Sequence, residues 1–235
     1  MSIYAFIPAR SGSTRLKNKN ILLINKRPLI YWSVKAAINL KLFDVIIFSS
    51  DSKKYLKILM SFLKKDNLPT KKIIFDLRTV PQANKKKKIF DYIKNDLVKK
   101  FKFSNKDLII QMLPTAPLRK KKTLIKAIDL AKRTKKDVFT VNKYDFHISF
   151  ALSLDKEKKW KAVFKNSPLI TGKTQSQDQK EFFKPNPVAN CVWYKDLKKK
   201  KTIYDNSLAI VSNKIESIDI DDKDDYLLVK SILEN

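Results

Sequence analysis

Short apolar runs with strand character alternate with helix-period patterns through the first two-thirds of this chain, and that alternation limits the fold more than any other feature. Ile3–Pro8, Val45–Ser50, Ile73–Phe75, Leu108–Leu113 and Val138–Val141 read as strands. Helical spacing occupies Leu29–Leu40, Tyr55–Leu63, Ile89–Phe101 and Leu124–Ala131. Nearly continuous apolar strands separated by amphipathic helices call for an α/β fold, with a mostly parallel sheet covered on both faces. The rhythm breaks after Asn142: His147–Leu154 and Trp160–Phe164 read as a small antiparallel excursion, followed by a polar stretch from Asn166 to Glu181. Strands at Val192–Tyr194 and Leu208–Val211 and a helix from about Asp224 complete the pattern. With 235 residues, 43% of them hydrophobic, the chain can bury one full core, so a single main domain is expected.

The first strand leads into a polar, cationic loop, Ala9 to Asn20, before a helix begins near Pro28. Such loops hold phosphates in α/β proteins, because backbone N–H groups and a helix N-terminus supply partial positive charge that Arg or Lys completes. The chain has two glycines, and Gly12 lies in this loop, where a missing Cβ would let backbone approach an anion. Further along, Pro114-Thr115-Ala116-Pro117 makes a stiff turn at the carboxyl end of a strand, the usual ligand-binding edge of an open α/β sheet. Asp219 and Asp221, at i and i+2 in extended chain, put two carboxylates on one face, where they can grip a hard cation. Helix capping competes for the neighbouring acids and is expected to explain Asp224 and Asp225. Asp51 fits either an N-cap or a functional role.

The net charge of +28 invites a nucleic-acid reading, yet only Arg10, Arg15, Arg27, Arg78, Arg119 and Arg133 among the 51 basic residues are arginine. The lysines are spread along the chain on amphipathic faces, so no specific nucleic-acid binding is expected. One cysteine, Cys191, rules out an internal disulfide and a Cys-based zinc site. The opening Met-Ser-Ile-Tyr has no signal-peptide pattern, and no run is apolar enough to span a bilayer; no membrane association is expected, and a cytoplasmic location is.

The loop "IPARSGSTRLKNKNI", followed by "SSDS", "LPTAPLR", "SQD" and "SIDID", resembles the cytidylyltransferases that make CMP-activated nonulosonic acids: the CMP-sialic, CMP-legionaminic and CMP-pseudaminic acid synthetases. The likeness runs from residue 3 to the last helix. It implies a three-layer Rossmann-like fold over residues 1–235, with 143–190 as an inserted substrate and dimerisation segment, and a homodimer. It implies transfer of CMP from CTP to the anomeric hydroxyl of an acidic nonulosonic sugar, with release of pyrophosphate and dependence on Mg2+. Arg10, Ser11, Gly12, Ser13, Arg15, Lys19, Asn20, Arg78 and Gln111 would bind the nucleotide, with Arg10 and Lys19 carrying charge for catalysis. Asp219 and Asp221 would hold the metal. Thr115, Gln177, Asp178 and Asn186 would meet the sugar, with Asn190 as an alternative to Asn186.

The sequence departs from the family pattern in four places. Leu113 replaces a usual glutamine, Asn84 and Lys85 to Lys88 replace an acidic and hydroxyl pattern, the arginine before "QD" is absent, and the glycine after the family asparagine is missing. Three other readings remain: a nucleotide-sugar pyrophosphorylase of other base specificity, a paralogue without turnover, and a basic nucleic-acid-binding protein.

Overall fold

A computed structural model describes residues 1–84, 86–175, 177 and 179–234. After β1 (Ile3–Pro8) the chain makes a tight hairpin, β2 (Leu23–Ile24) with β3 (Arg27–Pro28), and enters α1 (Leu29–Leu40). β4 (Val45–Ser50), α2 (Lys53–Lys65) and β5 (Ile73–Leu77) follow, then the short α3 (Val80–Ala83). A helical run consists of α4 (Ile89–Tyr92), a π turn at Ile93–Leu97 and α5 (Val98–Lys100). β6 (Leu108–Gln111), α6 (Lys121–Thr134) and β7 (Asp137–Lys143) complete the regular alternation. The excursion holds β8 (Leu152–Leu154), β9 (Trp160–Ala162) and α7 (Pro168–Thr171). The chain rejoins the sheet as β10 (Phe183–Trp193), then forms α8 (Tyr194–Leu197), β11 (Ser207–Val211) and α9 (Lys223–Glu234).

The main sheet has seven strands in the order β11-β7-β10-β6-β1-β4-β5. Every pairing is parallel except those of β10, which runs against both β6 and β7. One face packs on α1, α2 and α6 through residues such as Ile7, Tyr31, Leu59 and Ile128. The other packs on the α4–α5 run through Phe6, Tyr92, Ile93 and Leu97. The three-layer α/β expectation is therefore met. The hairpin expected at the excursion is also present, with β8 and β9 antiparallel and in register from Leu152 opposite Ala162 to Leu154 opposite Trp160.

Several details differ from the sequence reading. The expected helix over Ile89–Phe101 is broken by the π turn, which one extra residue per turn produces. The returning strand begins at Phe183, well before Val192. Within it Pro185 lies opposite Val141 but Asn190 opposite Phe139, so a bulge interrupts the β10–β7 ladder. Ser52, not Asp51, caps α2, its side chain accepting from Tyr55 N at 3.3 Å. At α9 the reciprocal pair is Asp222 with Asp225: Asp225 N donates to Asp222, and the Asp225 carboxylate accepts from the N–H groups of Asp221 and Asp222.

Candidate functional site

The carboxyl ends of β1 and β6 border a cleft of about 310 Å³. Its walls come from the first loop, from Arg78, Ala83, Asn84, Lys87 and Ile89, from the Pro-Thr-Ala-Pro turn and from the irregular segment that carries Asp219 and Asp221. The first loop is fixed from below. Ala9 N donates to Ser49 O at 2.8 Å, and the buried Asn20 amide donates to Arg10 O at 2.8 Å, which folds the loop back on its own start. Ser11 gives both its N–H (2.8 Å) and its hydroxyl (2.7 Å) to the Asp51 carboxylate. The turn is made with Asn18 in the left-handed region at φ 56°, which Asn tolerates better than most residues.

Residues from opposite ends of the sequence meet here. Lys19 Nζ donates to Ile220 O at 2.6 Å and lies 3.0 Å from Asp221 Oδ1. Arg15 reaches Asp221 Oδ2 at 3.0 Å. Ile220 N in turn donates to Thr115 O at 2.9 Å, so three segments are tied together. Asp219 lies behind this pair, with its Oδ1 buried and accepting no hydrogen bond. Burial raises its pKa above the ordinary carboxylate range, the Asp221 charge adds to that, and the Thr115 hydroxyl and Lys19 act against it. Arg10 and Arg78 line the same cleft. Arg78 is 5% exposed, its Nε is unpartnered, and burial lowers its pKa, with Arg10 adding like-charge repulsion. Two cations that disfavour each other across a cleft are stabilised by an anion between them.

A second cleft of about 260 Å³ shares Ile89, Leu113 and Asp219 with the first. Its polar lining is Gln111, Asn186, Asn190, Tyr204 and Asp219. Gln111 and Asn190 are register partners on β6 and β10, and both leave a buried amide oxygen without a partner. Asn186 is fully engaged. It accepts from Thr140 Oγ1 (2.6 Å) and donates to Ser212 Oγ (2.8 Å), which holds the bulge of β10 in place.

The expected site residues thus separate into groups. Arg10, Ser13, Arg15, Lys19, Asn20, Arg78, Thr115, Asp219 and Asp221 line the first cleft. Ser11 and Gly12 are not among its lining residues, Ser11 because Asp51 takes both its donors. Gly12 does not have a positive φ, and a Cβ there would meet nothing within 4 Å, so the fold does not require glycine. Gly12→Ala is accordingly expected to change stability by no more than about 1 kcal/mol by thermal melting, with nucleotide affinity unchanged. Gln111 lies in the second cleft rather than the first, and so does Asn186. Gln177 is exposed and lines neither cleft, and Asp178 lies outside the described residues. Sequence reasoning did not assign Asn84, Lys87 and Ile89, which wall the first cleft, or the role of Arg119. Arg119 is buried, its pKa is pushed down to about 9, and it gives its N–H groups to Ala116 O, Val188 O and Leu113 O. It thereby clamps the turn between the clefts to the β10 bulge.

Residues 4–89 match the family model described as Cytidylyltransferase. The N-acylneuraminate cytidylyltransferase of Escherichia coli is 28% identical over 237 residues, covering 98% of this chain and 52% of that protein. The CMP-N,N'-diacetyllegionaminic acid synthase of Legionella pneumophila is 27% identical over 248 residues, covering 100% of this chain and 97% of that protein. The chain is thus similar to cytidylyltransferases, by the family model over residues 4–89 and by these two relatives over nearly its whole length. It spans about half the length of the Escherichia coli relative and nearly all of the Legionella one. Among solved structures, CMP:2-keto-3-deoxy-manno-octonic acid synthetase complexed with CTP superposes with a TM-score of 0.68 at 12% identity, covering 100% of this chain and 99% of that one. A 4-diphosphocytidyl-2C-methyl-D-erythritol synthase gives 0.69 at 9% identity, with the same coverage. At those identities the likeness is one of fold, and this chain shares the scaffold of both.

Proposed function

We propose that the protein transfers CMP from CTP to the anomeric hydroxyl of a nonulosonic acid and releases pyrophosphate. The observation that carries this reading is the meeting of Lys19, Arg15, Asp221 and Asp219 at the point where a cationic cleft joins a second, cation-poor one. The triphosphate would occupy the first cleft against Arg10, Lys19 and Arg78, and the acceptor the second. In-line attack forms a bond from the acceptor oxygen to the α-phosphorus and breaks the bond to the pyrophosphate oxygen. The hydroxyl proton is released to water. The protein's part is to position both reactants and to hold fixed charge around the phosphates.

The residues fit a magnesium ion. Asp219 Oδ1 is a buried carboxylate oxygen with no donor, beside a second carboxylate, and hard oxygen ligands suit this cation. Among the described residues no group of three or more acidic, His or Cys side chains could hold a metal, so phosphate oxygens and water would complete the shell. Asp219 and Asp221 would hold it, with Lys19 and Arg15 moving from Asp221 to phosphate. Bound there, the ion would neutralise phosphate charge and polarise the attacking oxygen.

In the second cleft, Asn190 with Gln111 offers amide oxygens for donor groups of the acceptor, whereas Asn186 serves the scaffold. Asn190→Ala is expected to raise KM for the acceptor about tenfold with KM for CTP unchanged. Asn186→Ala is expected to cost about 1–3 kcal/mol of stability by urea unfolding, because it leaves Thr140 and Ser212 short of partners. Steady-state pyrophosphate release distinguishes the two.

The excursion between β7 and β10 exposes Phe146, Leu154, Trp160, Val163 and Ile170, each more than half accessible. A second copy covering them is the arrangement we propose for segment 143–190 of this single nucleotidyltransferase domain. Trp160→Asp is then expected to convert dimers to monomers in light scattering. No described helix is long and apolar enough to cross a membrane, and the lone, buried Cys191 accords with a cytoplasmic enzyme. The decisive assay is pyrophosphate release with CTP, UTP, ATP and GTP against sialic, legionaminic and pseudaminic acids. Turnover confined to CTP and to one or more of these acids is expected. Turnover with another nucleotide, or none with any acid, would overturn the reading.

A further inference from the structure

Arg78 is a buried guanidinium with no carboxylate within ion-pair distance among the described residues. Its N–H contacts are a weak one to Ser49 O at 3.3 Å and the backbone bond from Arg78 N to Ser50 O at 2.8 Å. Burying such a charge unpaired is costly, so something else has to stabilise it. Two acids act on it through space, Asp51 more strongly than Asp76. Asp51 already accepts the N–H and the hydroxyl of Ser11, and Asp76 is fully occupied. It accepts from Ser49 Oγ (2.6 Å), Tyr92 OH (2.5 Å) and Lys100 Nζ (2.7 Å). What Arg78 does have is the face of Tyr92, with its guanidinium carbon 5.6 Å from the ring centroid. A ring face attracts a cation through its quadrupole and consumes none of the N–H donors.

Tyr92 itself has little freedom. It is fully buried, stacks on Phe6 of β1, and has its hydroxyl bound both to Asp76 and by Lys100 at 3.0 Å. The π turn begins at the next residue, Ile93, and interrupts the α-helical ladder where the ring must meet Arg78. Local π turns of this kind are frequent at functional sites.

We propose that Tyr92 is a positioning residue for the nucleotide, its ring keeping the buried Arg78 charged, un-neutralised and aimed into the cationic cleft. The inference rests on the nucleotide-binding reading of that cleft and adds to it a residue that does not line it. Asp76, Ser49 and Lys100 lock the ring, and the ring holds the guanidinium. Phosphate then meets donors that no protein carboxylate has claimed.

Calorimetric titration of CTP and of inorganic tripolyphosphate tests this, with a thermal melt of each variant alongside. Tyr92→Leu removes the ring face and is expected to weaken both ligands about tenfold. Tyr92→Phe keeps the face and leaves Asp76 short of one donor. It is expected to melt lower while binding within about twofold of the parent. Tyr92→Trp disturbs packing but keeps a π face, so it should melt low and still bind. In an Arg78→Met background, Tyr92→Leu should add no further loss. Affinity that follows melting temperature rather than the presence of a ring would overturn the inference. So would an equal loss from Tyr92→Leu with and without Arg78. Should Tyr92→Leu not fold, weak binding by a folded Tyr92→Trp overturns it alone. If the parent protein bound neither ligand, the nucleotide reading itself would fall, and the inference with it.

Discussion

Asp219→Asn is expected to lower CTP-dependent pyrophosphate release by roughly 10²–10³-fold while the protein melts at the same or a higher temperature. The two halves of this expectation come from the same observation. Asp219 lines both clefts, and its Oδ1 is buried without a donor. Burial disfavours the charged form of a carboxylate, so the folded protein gives up stability to keep an anion there. An amide of nearly the same shape removes that penalty and removes the charge a cation would seek. Activity kinetics at saturating Mg2+ together with a thermal melt make the check. Retained turnover would remove Asp219 from the metal site, and a collapsed melt would mean that the residue is structural.

Lys200→Met is the substitution with the largest expected effect on stability, about 3–5 kcal/mol by urea unfolding at neutral pH. Lys200 and Asp137 form a buried pair, Nζ to Oδ2 2.6 Å, with side chains 5% and 3% exposed. Lys200 also donates to Ser207 Oγ and Asp205 O, and Asp137 accepts from Trp193 N at 2.8 Å. The pair therefore joins β7, β10 and the 198–207 loop. Removing the ammonium leaves a desolvated carboxylate with one N–H for company. Burial already raises the pKa of Asp137, even with Lys200 in place. A carboxyl raised in the folded state contributes stability below its unfolded value, near 4, and loses it as pH rises through the folded value. The penalty for Lys200→Met should thus be complete at neutral pH and shrink as pH falls through the raised pKa of Asp137. A penalty that stays constant across that window would contradict the assignment.

What the sequence made legible was local. α1 begins and ends at Leu29 and Leu40 as its spacing predicts, and β1 and β4 match their apolar runs, because burial on both faces leaves a continuous signal. β10 hid its first half because Lys184-Pro185-Asn186-Pro187 reads as a break; proline fits a strand only at edges and bulges, and a bulge is what forms there. The π turn was invisible because one added residue disturbs helical spacing no more than ordinary sequence noise does. In the site, the Lys19–Asp221 meeting followed from family motifs, whereas Asn186 and Asn190 could be told apart only by their partners. At Gly12 the protein's own packing and φ do not call for glycine, so its rarity in the composition has no explanation within the fold.

The bond from Lys19 to Ile220 O spans 201 positions of sequence, and the one from Ile220 to Thr115 bridges another long interval. The cleft therefore cannot be assembled piecemeal during synthesis. A nascent chain still threading the ribosome can complete its first crossovers and present a basic hollow, yet it lacks Asp219 and Asp221, which close that hollow on one side. The cleft is finished only when the chain's longest loop closes, so its last wall is added by the last-made part of the fold.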